Sequence, residues 1–222
     1  MTKKEKDFTL ACVLGDGCIN KRIVNNTPQC RFLLRHSIKQ KDYFLWKVER
    51  LSKALSSTSG REYKKRSSWS MEEETGRSKI TSLRFERNHP YLKDLYSFIY
   101  EGGKKTFSKK VLNRLTLEGI AIWYMDDGNM YNAKYLTSRG TYRYRIARCT
   151  LNTYLSETEN QVIIDFFKRK YDIEWIIAKD KGFTRLQMGT KQARKFIDLI
   201  KDYIHPSMMY KTEIKVGQEL VL

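Results

Sequence analysis

Two acidic turns carry the most specific chemistry in this 222-residue chain: Leu14-Gly15-Asp16-Gly17 and Met125-Asp126-Asp127-Gly128. Each closes an apolar run, Phe8 to Gly15 and Gly119 to Met125. A carboxylate at the end of an apolar segment is poorly hydrated and persists only where something compensates its charge. Asp16 and Asp127 lie 111 residues apart, half the chain, so the same costly arrangement occurs once in each half. Asp126 competes with Asp127 for the role in the second turn. Two carboxylates brought together repel unless a cation joins them, and a hard divalent ion such as Mg²⁺ prefers oxygen ligands. Such an ion activates water and stabilises a leaving oxygen, which is what phosphodiester hydrolysis requires.

The elements that position these turns repeat. In the first half, Phe8 to Asp16 reads as an apolar helix, followed by strands over Ile19–Val24 and Gln29–Ser37 around an Asn25-Asn26-Thr27-Pro28 turn. Lys41–Leu55 has helical spacing of Phe44, Leu45, Val48, Leu51 and Leu55. Extended segments over Arg61–Trp69 and Lys79–Glu86 precede a helix from Pro90 to about Tyr100, which Gly102-Gly103 ends. In the second half, the order is helix Leu117–Asp127, strands Asn129–Leu136 and Tyr142–Thr150, and helix Ser156–Lys170 with Ser156 and Glu159 as a capping box. Strands Ile173–Ala178 and Phe183–Met188 and a helix Thr190–Ile204, stopped by Pro206, complete it. The expectation is an α+β chain of two pseudo-symmetric αββαββα halves, residues 1–102 and 103–222. Each has a four-stranded antiparallel sheet with one solvated face.

Composition narrows the partner. Lys and Arg total 43 against 25 Asp and Glu, a formal charge of +18, which points to a polyanion. Aromatic content of 13% places that charge on a folded body. Cys12, Cys18, Cys30 and Cys149 form no CxxC pair and read as reduced intracellular thiols, with no secretion signal, and no run is long enough for a membrane span. His89 and His205 each precede a proline at a helix boundary, which argues against a His-metal nuclease, and no GxxxxGK[ST] loop supports ATP use.

Leu10-Ala11-Cys12-Val13-Leu14-Gly15-Asp16-Gly17 and Ala121-Ile122-Trp123-Tyr124-Met125-Asp126-Asp127-Gly128 resemble the paired signature helices of LAGLIDADG homing endonucleases. The similarity is to the monomeric two-motif type of the mitochondrial omega-intron subgroup. Lys104-Lys105-Thr106 and Pro206-Ser207-Met208-Met209-Tyr210-Lys211 add to it, so it covers nearly the whole chain. The second helix departs from the family's small-residue pattern at Ile122 and Asp126. The resemblance implies two LAGLIDADG halves forming a DNA-binding saddle, a divalent metal (Mg²⁺, with Mn²⁺ able to substitute) and cleavage of both strands of a long non-palindromic DNA target by a monomer. It carries metal ligation over to Asp16 and Asp127, with the backbone carbonyls of Gly15 and Asp126 beside them. Lys105 and Lys211 become basic companions that stabilise phosphate charge or polarise the attacking water.

DNA contacts follow from the alternating strands. Arg31 and Arg35 with His36, Arg143, Arg145 and Arg148, and Arg185 with Gln187 are placed to read base edges. Asn20, Arg22, Asn129 and Tyr131 follow the acidic turns, and Lys64-Lys65-Arg66 reads as a phosphate clamp. An intron RNA maturase, or a non-cleaving DNA-binding protein of the same fold, is the alternative. A general RNA-binding protein would explain the charge but not the paired acids.

Overall fold

The computed structural model describes residues 1–56, 69–73, 80–138, 140–180 and 182–217. The chain forms two compact units, Met1–Thr106 and Phe107–Leu222.

In the first unit, α1 (Lys3–Leu14) starts earlier than the apolar run implies. Thr2 Oγ1 accepts from the Glu5 amide while the Glu5 carboxylate accepts from the Thr2 amide at 2.6 Å, so a capping box fixes the start. From Asp7 to Leu14 every residue is buried, as expected of a helix without a polar face. β1 (Gly17–Val24) and β2 (Thr27–Ser37) then form a hairpin. Its turn residues Asn25 and Asn26 have φ of 49° and 58°, a left-handed conformation that asparagine tolerates. After α2 (Lys41–Ala54) come β3 (Trp69–Glu73) and β4 (Ile80–Asn88), and the antiparallel sheet has the order β1-β2-β4-β3. The strand expected over Arg61–Trp69 is described only at Trp69, from which β3 runs onward; the rest of that span lies outside the described residues. α3 (Tyr91–Ile99) leads into a short hairpin of β5 (Tyr100–Glu101) and β6 (Lys104–Lys105). Gly102-Gly103, read from sequence as the division between halves, is the turn of that hairpin and belongs inside the first unit.

Alternation along β2 divides the sheet. Phe32, Leu34 and His36 point inward with Leu83 and Phe85 of β4, all buried. Arg31 and Arg35 point outward and are exposed, in register with Asn20 of β1 and Arg84 of β4. α2 packs on β2 and β4, closing the inner face with Tyr43, Phe44, Val48 and Leu51, and α3 packs on β2 with Leu92, Leu95 and Ile99.

The second unit repeats the topology. α4 (Lys109–Leu112) precedes α5 (Leu117–Asp127), whose N-cap Thr116 accepts from the Gly119 amide at 3.1 Å. Then follow β7 (Gly128–Leu136), β8 (Tyr142–Leu151), α6 (Glu157–Tyr171), β9 (Ile176–Asp180), β10 (Phe183–Gly189) and α7 (Thr190–Ile200), with sheet order β7-β8-β10-β9. The Ser156–Glu159 capping box forms as the sequence implies. β9 begins later than expected: Ile173 and Trp175 are buried ahead of it, their apolarity serving the core rather than a ladder. The last helix ends at Ile200 rather than Ile204 and tightens into a 3₁₀ turn over Lys201–Tyr203.

A glycine follows the acid in both turns because backbone crowds the position. A Cβ on Gly17 would stand 2.5 Å from the Cys12 carbonyl oxygen and 2.9 Å from the Phe32 ring. A Cβ on Gly128 would collide with both the ring and the carbonyl of Tyr124, and the Tyr124 hydroxyl is itself bonded elsewhere. Gly17→Ala and Gly128→Ala are each expected to lower stability by about 1–3 kcal/mol through overpacking. Denaturant melts beside wild type check this; an unchanged midpoint would show that the turns can relax.

Candidate functional site

Asp16 and Asp127 stand at the carbonyl ends of buried helices, where the helix dipole is negative and the last carbonyls lack partners within the helix. A carboxylate there is doubly disfavoured. Each unit answers with a lysine from its own end.

In the first unit Lys105 Nζ donates to the Gly15 carbonyl at 2.8 Å. Gly102 and Gly103, with φ of 55° and 80°, supply the tight left-handed turn that brings β6 back beside β5. Tyr100, paired with Lys105, stacks on Tyr96 with ring centroids 4.5 Å apart, and its hydroxyl accepts from the Ile19 amide at 3.0 Å. Burial pushes the Tyr100 hydroxyl up to about 12, so it stays neutral. The hairpin is thus tied to β1, just beyond Asp16.

In the second unit Lys211 Nζ donates to the Met125 carbonyl at 2.6 Å and to the Asp126 carbonyl at 3.2 Å. Lys211 is buried. It ends a 3₁₀ turn over Pro206–Lys211 whose start is capped by His205, Nδ1 accepting from the Ser207 amide. Pro206 therefore starts the element that carries Lys211 as well as closing the preceding helix. Tyr124 completes the arrangement: its hydroxyl donates to the Lys211 carbonyl at 2.7 Å. Burial drives that hydroxyl far above the usual tyrosine range and keeps it a donor. Tyr124 reads in sequence as one more apolar residue of the signature helix, and no pattern there marks its bond to Lys211.

The two lysines meet equivalent atoms. Lys105 meets the carbonyl just before Asp16, and Lys211 meets those just before Asp126 and Asp127. The carbonyls that the resemblance gives to a metal are those the ammonium groups occupy. A carbonyl oxygen has a second lone pair, so the two uses are compatible. Asp126 and Asp127 are half-buried, and the Asp127 carbonyl accepts from the Asn152 amide at 3.0 Å.

His36 corrects the sequence reading. Expected among outward base-reading side chains, it belongs to the inward row of β2 and is buried. Its Nδ1 lies 3.5 Å from an Asp16 carboxylate oxygen and 2.9 Å from Gln40 Oε1. Behind it, the fully buried Lys47 of α2 places Nζ 3.4 Å from His36 Nε2 and 4.4 Å from the Tyr43 ring centroid. His36 thus presents Nδ1 to Gln40 and Asp16 and Nε2 to the Lys47 nitrogen. His36 and Lys47 sit at inward positions of their strand and helix, and only the strand register would have exposed the first.

Asn20, Arg22, Arg31 and Arg35 share the outer face of the first sheet and are exposed. Arg31 is held by Glu86 and Asn88 at 3.2 Å each, and Glu86 also takes Arg84. In the second unit Asn129, Tyr131 and Arg148 are exposed on the outer face, and Gln187, paired with Thr150, and Arg185 are half-buried on the same face. A bulge between Ala133 and Lys134 leaves Arg145 without a ladder partner and returns Arg143 to the outer row opposite Tyr135. Lys64, Lys65 and Arg66 lie outside the described residues.

A sequence model described as the LAGLIDADG DNA endonuclease family matches residues 8–196. The chain is 30% identical over 222 residues to a protein named Protein RecA from Mycobacterium shimoidei, covering 95% of this chain and 47% of that one. It thus spans about half the length of the curated relatives it matches first. Probable intron-encoded DNA endonuclease 3 of Mycosarcoma maydis is 30% identical over 114 residues, covering 51% of this chain and 76% of the relative. Among solved structures, the homing endonuclease I-WcaI bound to its DNA recognition sequence has the same fold, with a TM-score of 0.74 at 20% identity over 97% of this chain and 88% of that one.

Removing the Lys211 ammonium strips two carbonyls of a buried donor, whereas Lys105 is only half-buried. Lys211→Met is expected to lose about 1–3 kcal/mol of stability, and Lys105→Met less. Urea unfolding of both variants checks the order; equal losses would mean that burial does not set the strength of these contacts.

Proposed function

Because the chain belongs to the LAGLIDADG DNA endonuclease family, we propose that it is a site-specific double-strand DNA endonuclease acting as a monomer on a long non-palindromic target. One observation carries the reading: in both units a buried helix ends in an acid-glycine turn, and a lysine from the end of that unit holds the carbonyl just before the acid. A merely DNA-binding protein has no use for an acid at the carbonyl end of a helix in each unit, set against a polyanion.

Family members use divalent metal ions. The groups offered here, the carboxylates of Asp16 and Asp127 and the carbonyls of Gly15 and Asp126, are all hard oxygen donors and suit Mg²⁺ or Mn²⁺. When bound, such an ion supplies a water nucleophile and stabilises the leaving oxygen. The chain's own residues orient the donors. Lys105 and Lys211 fix the carbonyls and offset the acids' charge at the helix ends. His36, fixed by Lys47, holds the Asp16 carboxylate from the inner side of β2. The outward arginines and amides of each sheet supply phosphate and base-edge contacts.

The activity test incubates the full chain and Mg²⁺ with a plasmid library carrying randomised inserts and maps the ends produced. Linear product with a common end sequence is expected, and its absence together with retained duplex binding would favour the non-cleaving alternative. Asp127→Asn is expected to abolish cleavage while leaving DNA affinity within a few fold. Affinity should also fall steeply with salt, since each neutralised phosphate contributes a slope of about −0.9 in log K against log salt. A flat response would remove the arginine-bearing sheet faces as the DNA contact surface.

A further inference from the structure

The outer faces of the two sheets differ in chemistry. In the first unit the outward rows of β1 and β2 present the exposed hydrogen-bonding side chains of Asn20, Arg22, Gln29, Arg31 and Arg35, with only the half-buried Cys18 and Leu33 between them. In the second unit the corresponding face presents large apolar groups between its arginines. Tyr131 is 56% exposed, Tyr135 43%, Ile146 37%, Ile176 58% and Phe183 59%. The register puts them on one side: Tyr131 lies opposite Arg148, Ala133 opposite Ile146, Tyr135 opposite Arg143, and Ile176 opposite Gln187. Phe183, the first residue of β10, is braced edge-on by Tyr154 with centroids 5.7 Å apart. Exposed singly such side chains are ordinary, but gathered on one sheet face they mark a contact surface.

The interspersed Arg143, Arg148 and Arg185 make an anionic partner the fitting one, and the +18 charge of the chain agrees. The apolar group that a DNA major groove offers is the thymine 5-methyl, whereas arginine and amide side chains pair with guanine and adenine edges. Resting on the DNA-endonuclease reading above, we propose that the second unit specifies its half of the target largely through thymine methyl groups, read by Ile146, Ile176 and Phe183. The first unit specifies its half by hydrogen bonds. The two half-sites accordingly differ in base composition, with the A·T-rich half lying against the second unit.

The test enriches duplexes from a randomised library with the full wild-type chain. Each thymidine of the winning duplex is then replaced by deoxyuridine, which deletes only the methyl group. Loss of a buried methyl corresponds to about a fourfold weaker complex. Sensitive positions are expected to cluster in one half, and Ile146→Ala, Ile176→Ala and Phe183→Ala are each expected to abolish the sensitivity of one position while keeping the rest. Enrichment of a duplex indifferent to deoxyuridine, or sensitivity unchanged in all three variants, would overturn the inference and leave the endonuclease reading intact. Failure to enrich any duplex would overturn both. If the DNA-free chain elutes as a dimer that Ile176→Glu converts to monomer, the apolar face belongs to a second copy and the inference is wrong.

Discussion

A carboxylate at the carbonyl end of a buried helix is the arrangement on which the rest of this molecule depends. The helix dipole is negative there and the last carbonyls lack intrahelical partners. The structure meets this in both units with an ammonium placed on the carbonyl just before the acid. The two lysines arrive by different routes, a glycine hairpin for Lys105 and a capped 3₁₀ turn for Lys211, yet reach equivalent atoms. Different backbone solutions to one electrostatic problem indicate that the problem, rather than the local fold, is what the units share.

The same constraint explains the surroundings. The glycine after each acid lets the chain leave the helix against its own last turn, where a Cβ would meet backbone oxygen. Tyr124 bonds the carbonyl of the lysine that caps its own helix, so helix and lysine hold each other in place. In the first unit the carboxylate has a second support, the buried His36 with Lys47 behind it. A buried lysine hydrogen-bonded to a histidine is rarely a packing choice, because desolvating an ammonium is costly. It stands behind His36, whose other ring nitrogen faces Asp16.

Each sheet then works with its two faces apart. The inward row builds the core under the helices, and the outward row carries the exposed charged and polar groups. Because strand side chains alternate strictly, a one-residue error in register exchanges the two sets. The bulge at Ala133/Lys134 is such a local exchange: it sets Arg143 outward and leaves Arg145 out of the ladder.

The acidic turns, the apolar helices that lead into them and the twofold order of elements were legible in the sequence, because burial of a whole helix and alternation along strands leave strong local patterns. The lysine segments were legible through resemblance alone. What the sequence misjudged lies where function depends on contacts between distant positions. His36 looks like its arginine neighbours until the register turns it inward, and Gly102-Gly103 looks like a boundary until the return of β6 shows it to be a hairpin. Tyr124 and Lys47 read as ordinary helix residues, since nothing local records that one bonds the Lys211 backbone and the other lies behind His36. Residue identity and local spacing set which chemical groups are present and which local elements carry them. Tertiary structure decided which carbonyl each ammonium reaches and which face of a strand a side chain takes, because those outcomes are set by chain reversal and register over tens of residues.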